Sequence, residues 1–189
     1  MLGKKRFEKH VRGDVMNNAI FLDRDGVINE VKTSRVRFVN QPADFHLLPG
    51  VGQAIKMFND AKWCVFVVTN QGGVGLGYMK ETSLKAIHQK MEADLADAGA
   101  KVDAIRYCPH KPHANCACRK PKPQMITDLA VAHDVDVKAS YMVGDREPDI
   151  EAGKKAGTQT VLVGDRLTHN IGSDWQFPDL LAFATWLVK

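Results

Sequence analysis

Ala19-Ile-Phe-Leu-Asp-Arg-Asp-Gly-Val-Ile-Asn29 decides how the rest of the chain is read. Four apolar or small residues run straight into Asp23 and Asp25, with one residue between them and Gly26 after. The apolar run reads as a short buried strand that ends in acid. Two carboxylates at that place repel one another and resist desolvation, so they call for a cation. An isolated D-x-D-G is equally a surface turn after a strand. The remaining sequence has to separate the two readings.

Working outward, the same pattern recurs. An irregular insert runs from about Asn29 to Leu48, carries Lys32, Arg35 and Arg37, and closes at Pro49-Gly50. A loop of that length in a compact domain is often a lid or binding loop, and a solvated lid fits it equally well. Val51, Ala54, Ile55 and Phe58 then fall at helical spacing, ending near Asp60. Cys64 to Val68 is a continuous apolar, β-branched run that suits a strand covered on both faces. It finishes in Thr69-Asn70-Gln71 and a flexible, glycine-rich turn.

Leu84, Ile87, Met91 and Leu95 predict an amphipathic helix that Gly99 ends. A third strand over Val102 to Tyr107 runs into a loop from Cys108 to Pro123. A helix through Met125, Ile126 and Leu129 follows, then a strand at Ala139–Val143 that ends in Gly144-Asp145-Arg-Glu-Pro-Asp149. The chain closes with a helix stopped by Gly157, a fifth strand at Thr158–Val163 and a terminal helix after Pro178. Strands alternating with helices predict an α/β fold, a three-layer Rossmann-like parallel sheet with helices on both faces. Ligands in such sheets bind beyond the carboxyl ends of the strands. Those ends carry Asp23 and Asp25, Thr69 and Asn70, and Asp145 and Asp149, with Arg119 and Lys120 at the end of the loop after the third strand.

Composition limits the alternatives. A chain of 189 residues suits one domain with a core of its own. We assign that domain to residues 19–189. The first 18 residues are basic (Lys4, Lys5, Arg6, Lys9, Arg12) but lack the apolar core of a secretory signal, and read as a loose lead-in. No apolar stretch approaches a membrane span. A formal charge of +4 suits anionic substrates without pointing to nucleic acid. The expected setting is the cytoplasm.

Four carboxylates from two distant segments need a hard cation, and Mg²⁺ prefers oxygen ligands shared with waters and a phosphate oxygen. With Lys120 and Thr69 to hold phosphoryl oxygens, the set describes phosphoryl transfer. One carboxylate attacks phosphorus, the cation and lysine neutralise charge, and a second carboxylate handles the proton. Of four cysteines, Cys64 lies in an apolar run and reads as core. Cys108-Pro-His110, five residues, then Cys116-Ala-Cys118 offers three thiolates and one imidazole, a closed tetrahedral Zn²⁺ site. Reactive thiols at Cys116 and Cys118, or His113 as a rival ligand, are the other readings of that loop. The loop is too short and too rich in Pro and Lys to order itself, which makes the zinc structural.

Asp23-Arg-Asp-Gly-Val27, the strand ending in Thr69-Asn70, Lys120 and Gly144-Asp145-Arg-Glu-Pro-Asp149 together resemble the four motifs of the haloacid dehalogenase superfamily. The resemblance implies that Asp23 is the nucleophile and Asp25 the general acid/base. It implies that Asp23, the backbone carbonyl of Asp25 and Asp145 hold Mg²⁺, and that Asp149 orients metal waters or Lys120. Thr69 and Asn70 would bind the transferring phosphoryl group. Cys108-Pro-His110 with Cys118-Arg-Lys-Pro121, Val39-Asn-Gln-Pro-Ala-Asp-Phe45 and Thr69-Asn-Gln-Gly-Gly-Val74 resemble the heptose bisphosphate and histidinol phosphate phosphatases of that superfamily, over roughly residues 18 to 165.

By that resemblance a minimal cap leaves the site open, Arg119 and Arg146 contact substrate, and a monomer removes the C7 phosphate of D-glycero-D-manno-heptose 1,7-bisphosphate. Arg35 in the basic loop would grip a second phosphate. Leu76 departs from the familiar turn, which carries Ser and often an Arg before its last Gly. Histidinol phosphate is the alternative substrate. A nucleic-acid 3′-end phosphatase is the alternative of another class, although it would need a broad basic groove and no zinc loop. A catalytically silent binding protein would not need Asp23, Asp25, Lys120 and Asp145 together.

Overall fold

A computed structural model describes residues 16–164 and 171–189. Most of the basic lead-in lies outside the described residues, but its end is not loose. Asn17 bridges to Val135, and the Asn18 carbonyl accepts from the Cys64 amide.

Six strands form one parallel sheet in the order β3-β2-β1-β4-β5-β6. They are β1 (Ala19–Leu22), β2 (Cys64–Asn70), β3 (Ala104–Cys108), β4 (Tyr141–Gly144), β5 (Gln159–Val163) and β6 (Trp175–Phe177). The helices are α1 (Val51–Asp60), α2 (Gly72–Gly75), α3 (Glu81–Asp97), α4 (Gln124–Ala132), α5 (Glu147–Ala156) and α6 (Leu180–Leu187). Two of these elements escaped the sequence reading. β6 is a three-residue edge strand, too short for a period to show. α2 is a single helical turn inside the glycine-rich stretch expected to be flexible.

Side chains on a strand alternate between faces, and β1 sorts its own. Ile20 and Leu22 enter one core with Ile55 and Phe58 of α1, Ile87 and Met91 of α3, and Phe183 of α6. Ala19 and Phe21 enter the other with Ile126 and Leu129 of α4 and Ala152 of α5. All four β1 residues are buried, so the expected three layers are present. The long insert is tied down through Val36, Val39 and Phe45, all buried in the first core. Its one helical turn is a 3₁₀ turn at Pro42–Asp44, and Asn29 bridges to Asp25 and to Leu47.

β1 lies between β2 and β4, so the chain turns one way after β1 and the other way after β3. The loops leaving β1 and β4 therefore part from one another, opening a crevice at the switch point. Register places Leu22 beside Val143, and the Asp23 amide donates to the Val143 carbonyl at 2.9 Å. Asp23 and Asp145 thus leave neighbouring strand ends at the same level.

His88 is a polar residue on the buried face of α3, its ring 5.5 Å from that of Tyr107. Burial first, and the nearby Arg24 charge second, push its pKa from 6.5 to about 4, with Asp25 opposing. The folded state therefore holds His88 neutral where the unfolded chain would protonate it. The stability this gives is present above pH 6.5 and is lost as pH falls from 6.5 toward 4. The loss amounts to up to about 3 kcal/mol. Denaturant melts across that window are expected to show a steeper fall for the wild type than for His88→Gln. Parallel slopes would contradict it.

Candidate active site

Lys120 is 4% exposed, yet its ammonium has a complete set of acceptors. Nζ donates to Asp23 Oδ1 at 2.8 Å and to the Val68 carbonyl at 2.6 Å, and pairs with Asp149 Oδ1 at 2.7 Å. Burial disfavours its charge, but Asp149 and Asp23 outweigh that and move its pKa up. The charge is placed from the backbone outward. Asn70 at the end of β2 donates from Nδ2 to the Lys120 carbonyl and accepts from the Lys120 amide at Oδ1, both at 3.0 Å. One side-chain amide thus pairs with the main chain of Lys120 as a neighbouring strand would. Asn70, expected to hold phosphate, has its side chain committed to the lysine.

Oxygens of Asp23, Asp145 and Asp149 lie within 4.8 Å of one another, all three residues being buried. Glycines allow the approach. A Cβ on Gly26, which sits at φ +94°, would stand 2.6 Å from Asp145 Oδ2. A Cβ on Gly144 would stand 2.1 Å from the Cβ of Asp149. Burial pushes the Asp23 pKa up to about 6, against the pull of Lys120 and with the repulsion of Asp149 and Asp25. Facing these three carboxylates are Lys120 and the half-buried Arg146, whose Nε is 3.3 Å from Asp145 Oδ2. Negative charge exceeds positive, and the oxygen donors are hard. The site therefore fits a divalent cation such as Mg²⁺.

The Asp25 carboxylate is outside that cluster. It accepts from Arg24 Nη2 at 2.7 and 3.0 Å, from Asn29 Nδ2 at 3.0 Å and from Gln71 Nε2 at 2.9 Å. Burial opposes ionisation, but Arg24 and then the hydrogen bonds hold its pKa below the usual carboxylate value. Arg24 is wholly buried, although it lies between two acids at a strand end where a solvent-facing charge is the usual outcome. Sequence reasoning assigned no role to Arg24, Asn29 or Gln71. The i to i+4 spacing of Asp25 and Asn29 was a signal; for Gln71, 46 residues away, there was none.

Asp23, Asp25, Lys120 and Asp149 floor a cleft of about 840 Å³. Thr69, Lys32, Arg37, Arg119 and Arg146 line it, and Phe38, Leu76 and Tyr78 form an apolar rim. Arg119 is steadied by its bond to the His110 carbonyl at 3.3 Å. Arg35 needs correction. It is paired with Glu30 and is not among the lining residues; Lys32 and Arg37 of the same loop are.

Beside the cleft, Cys108, His110, Cys116 and Cys118 converge. Cys108 Sγ is 3.5 Å from Cys116 Sγ and 3.6 Å from His110 Nδ1, which is 3.3 Å from Cys118 Sγ. Four ligand atoms so spaced could hold a metal ion. His113 is not in the group.

Comparison with known proteins agrees with this geometry. A family model described as HAD-hydrolase-like matches residues 117–170. Over 144 residues the chain is 44% identical to D-glycero-beta-D-manno-heptose-1,7-bisphosphate 7-phosphatase of Bordetella bronchiseptica, covering 76% of this chain and 79% of that protein. It is 34% identical to the D-glycero-D-manno-heptose-1,7-bisphosphate 7-phosphatase of Thermosynechococcus vestitus, covering 89% and 94%. The crystal structure of the B. bronchiseptica D,D-heptose 1,7-bisphosphate phosphatase with magnesium and phosphate superposes with a TM-score of 0.83 at 39% identity, covering 90% of this chain and 98% of that one. The fold and site define a phosphatase of the haloacid dehalogenase-like class, for which Mg²⁺ is the implied metal. Within that class the chain belongs to the family these heptose-bisphosphate phosphatases form.

Asn70→Ala should leave the buried main chain of Lys120 half-paired, at a cost of about 1–3 kcal/mol in a denaturant melt. Loss of the lysine's position should lower phosphate release about tenfold or more. Unchanged release would remove Asn70 from the machinery.

Proposed function

We propose that the protein removes the C7 phosphate of D-glycero-D-manno-heptose 1,7-bisphosphate through an aspartyl-phosphate intermediate. The observation that carries this is buried Asp23 and Asp149 paired to Lys120 at the floor of a cleft walled by Arg37, Arg119 and Arg146, with Asp145 clustered beside the two acids. Its context is a chain 44% identical to a phosphatase named for that substrate.

A carboxylate oxygen of Asp23 attacks phosphorus while the ester bond to the sugar oxygen breaks. Asp25, ionised at rest by the donors around it, must take up a proton as substrate enters and gives that proton to the leaving oxygen. Asp25 then takes a proton from water, the water oxygen attacks phosphorus, and the acyl-phosphate bond breaks to return Asp23 and inorganic phosphate. Lys120 faces the charge that develops on the phosphoryl group, and Thr69 and the Asn70 backbone hold its oxygens. Mg²⁺ held by Asp23, Asp145 and the Asp25 carbonyl would neutralise the attacking carboxylate and the phosphate together. Asp149 keeps Lys120 in place. Arg119 and Arg146 contact substrate, and Arg37 with Lys32 takes the part of the basic loop first given to Arg35.

For the cysteine loop the reading is structural Zn²⁺. Zn–S bonds of about 2.3 Å in a tetrahedron put sulfurs about 3.8 Å apart, near the 3.5 Å between Cys108 and Cys116. The metal would order the loop that presents Arg119. The reading carries with it a single-domain monomer acting in the cytoplasm on a small sugar phosphate.

Phosphate release with Mg²⁺ present, measured over heptose bisphosphate, histidinol phosphate and 3′-phosphorylated DNA, is expected to favour the heptose by at least about tenfold in kcat/KM. Asp23→Asn should abolish release with the circular dichroism spectrum unchanged. Preference for histidinol phosphate, or turnover by Asp23→Asn, would refute the reading. Metal analysis should find one zinc per chain, and Cys116→Ser should lose it and speed amide exchange over residues 108–123. A zinc-free wild type would overturn the structural-zinc assignment.

A further inference from the structure

Gln71 has no part in the mechanism above, yet it is nine-tenths buried and touches three working parts of the site. Its Nε2 donates to Asp25 Oδ2 at 2.9 Å and to Thr69 Oγ1 at 2.9 Å. Its backbone amide donates to the Cys108 carbonyl at 2.8 Å, the end of β3 where the cysteine loop begins. An ionised carboxylate only accepts hydrogen bonds, so the NH₂ end of the Gln71 amide must face Asp25. Both of its hydrogens are then spent, one on each partner.

One of the two lone pairs of Thr69 Oγ1 is occupied by the Gln71 N–H, which leaves the hydroxyl hydrogen free to be offered to the cleft. A donor there suits a phosphoryl oxygen, which only accepts. Arg24 and Asn29 hold Asp25 from its own loop. Gln71 is its link to β2.

We propose that Gln71 is a positioning residue that couples the acid/base carboxylate Asp25 to the phosphoryl anchor Thr69, so that both present the correct atom to the same phosphoryl group. The proposal rests on the roles given to Asp25 and Thr69 above. It differs from a packing role in acting through two hydrogen bonds.

Gln71→Met keeps the length and removes both donors; Gln71→Glu keeps the shape and turns one donor into an acceptor facing Asp25. Each is to be assayed on the best phosphomonoester of the substrate panel. Both are expected to lower kcat about 10- to 100-fold, with KM changing less than about threefold. Combined with Asp25→Asn, Gln71→Met is expected to add no more than about a threefold loss, because the acid/base carboxylate that it positions is already gone. If both single variants keep kcat within twofold, or if Gln71→Met costs the same factor in both backgrounds, the coupling is overturned. Full turnover by Asp25→Asn alone would overturn the acid/base reading and the coupling with it. Should Gln71→Met not fold, the same cycle is run with Gln71→Glu.

Discussion

A buried ammonium between two buried carboxylates is the interaction on which this site depends. Breaking such a pair from one side costs ~3–5 kcal/mol, because the remaining charge is left in a poor solvent. Lys120 avoids that cost only through complete pairing, with Asp23, Asp149 and the Val68 carbonyl each taking one N–H. The three acceptors come from the ends of β1 and β2 and the start of α5. Packing the sheet and packing the site are therefore one event, and Asn70 extends it by gripping the lysine's backbone.

The remaining negative charge is what makes the site useful. Asp145 brings a third carboxylate to within reach of Asp23, across the crevice where the strand order reverses. Close approach of two acids is normally resisted, and here the backbone permits it through Gly26 and Gly144. Asp25 is treated in the opposite way. Its neighbours are donors, Arg24 above all, so it is held ionised while Asp23 is pushed toward neutrality by burial. A divalent cation beside Asp23 reverses that burden, which gives the cluster a physical reason to bind one.

Recognition is carried by different material. Arg37, Arg119 and Arg146 reach the cleft from the insert after β1, the cysteine loop and the turn after β4. Phe38, Leu76 and Tyr78 add an apolar rim, and Tyr78 is 74% exposed. None of these side chains is held by the sheet itself. The chemistry sits on strand ends and the selectivity on loops, as is usual for parallel α/β sheets.

Much of this was legible in the sequence because it is local. The apolar run ending in Asp23 and Asp25 marked β1, and its counterparts at Cys64–Val68 and Ala139–Val143 marked the neighbours within a residue or two. The C-x-H-x5-C-x-C spacing brought the four metal-ligand candidates together on paper as the fold does in space. What depends on distant partners was not legible. Arg35 reads the same as Arg37 in sequence, and only the fold pairs it with Glu30 and leaves it out of the cleft lining. Arg24 and Gln71 were silent because the burial of one and the reach of the other, 46 residues across to Asp25, arise when β1 and β2 pair. The D-x-D-G stretch, followed in order by Thr69, Lys120 and the acids at Asp145 and Asp149, set the kind of reaction. Which atoms hold those carboxylates, and in what charge state, was decided by the tertiary structure, because only folding removes the water that would otherwise make the choice.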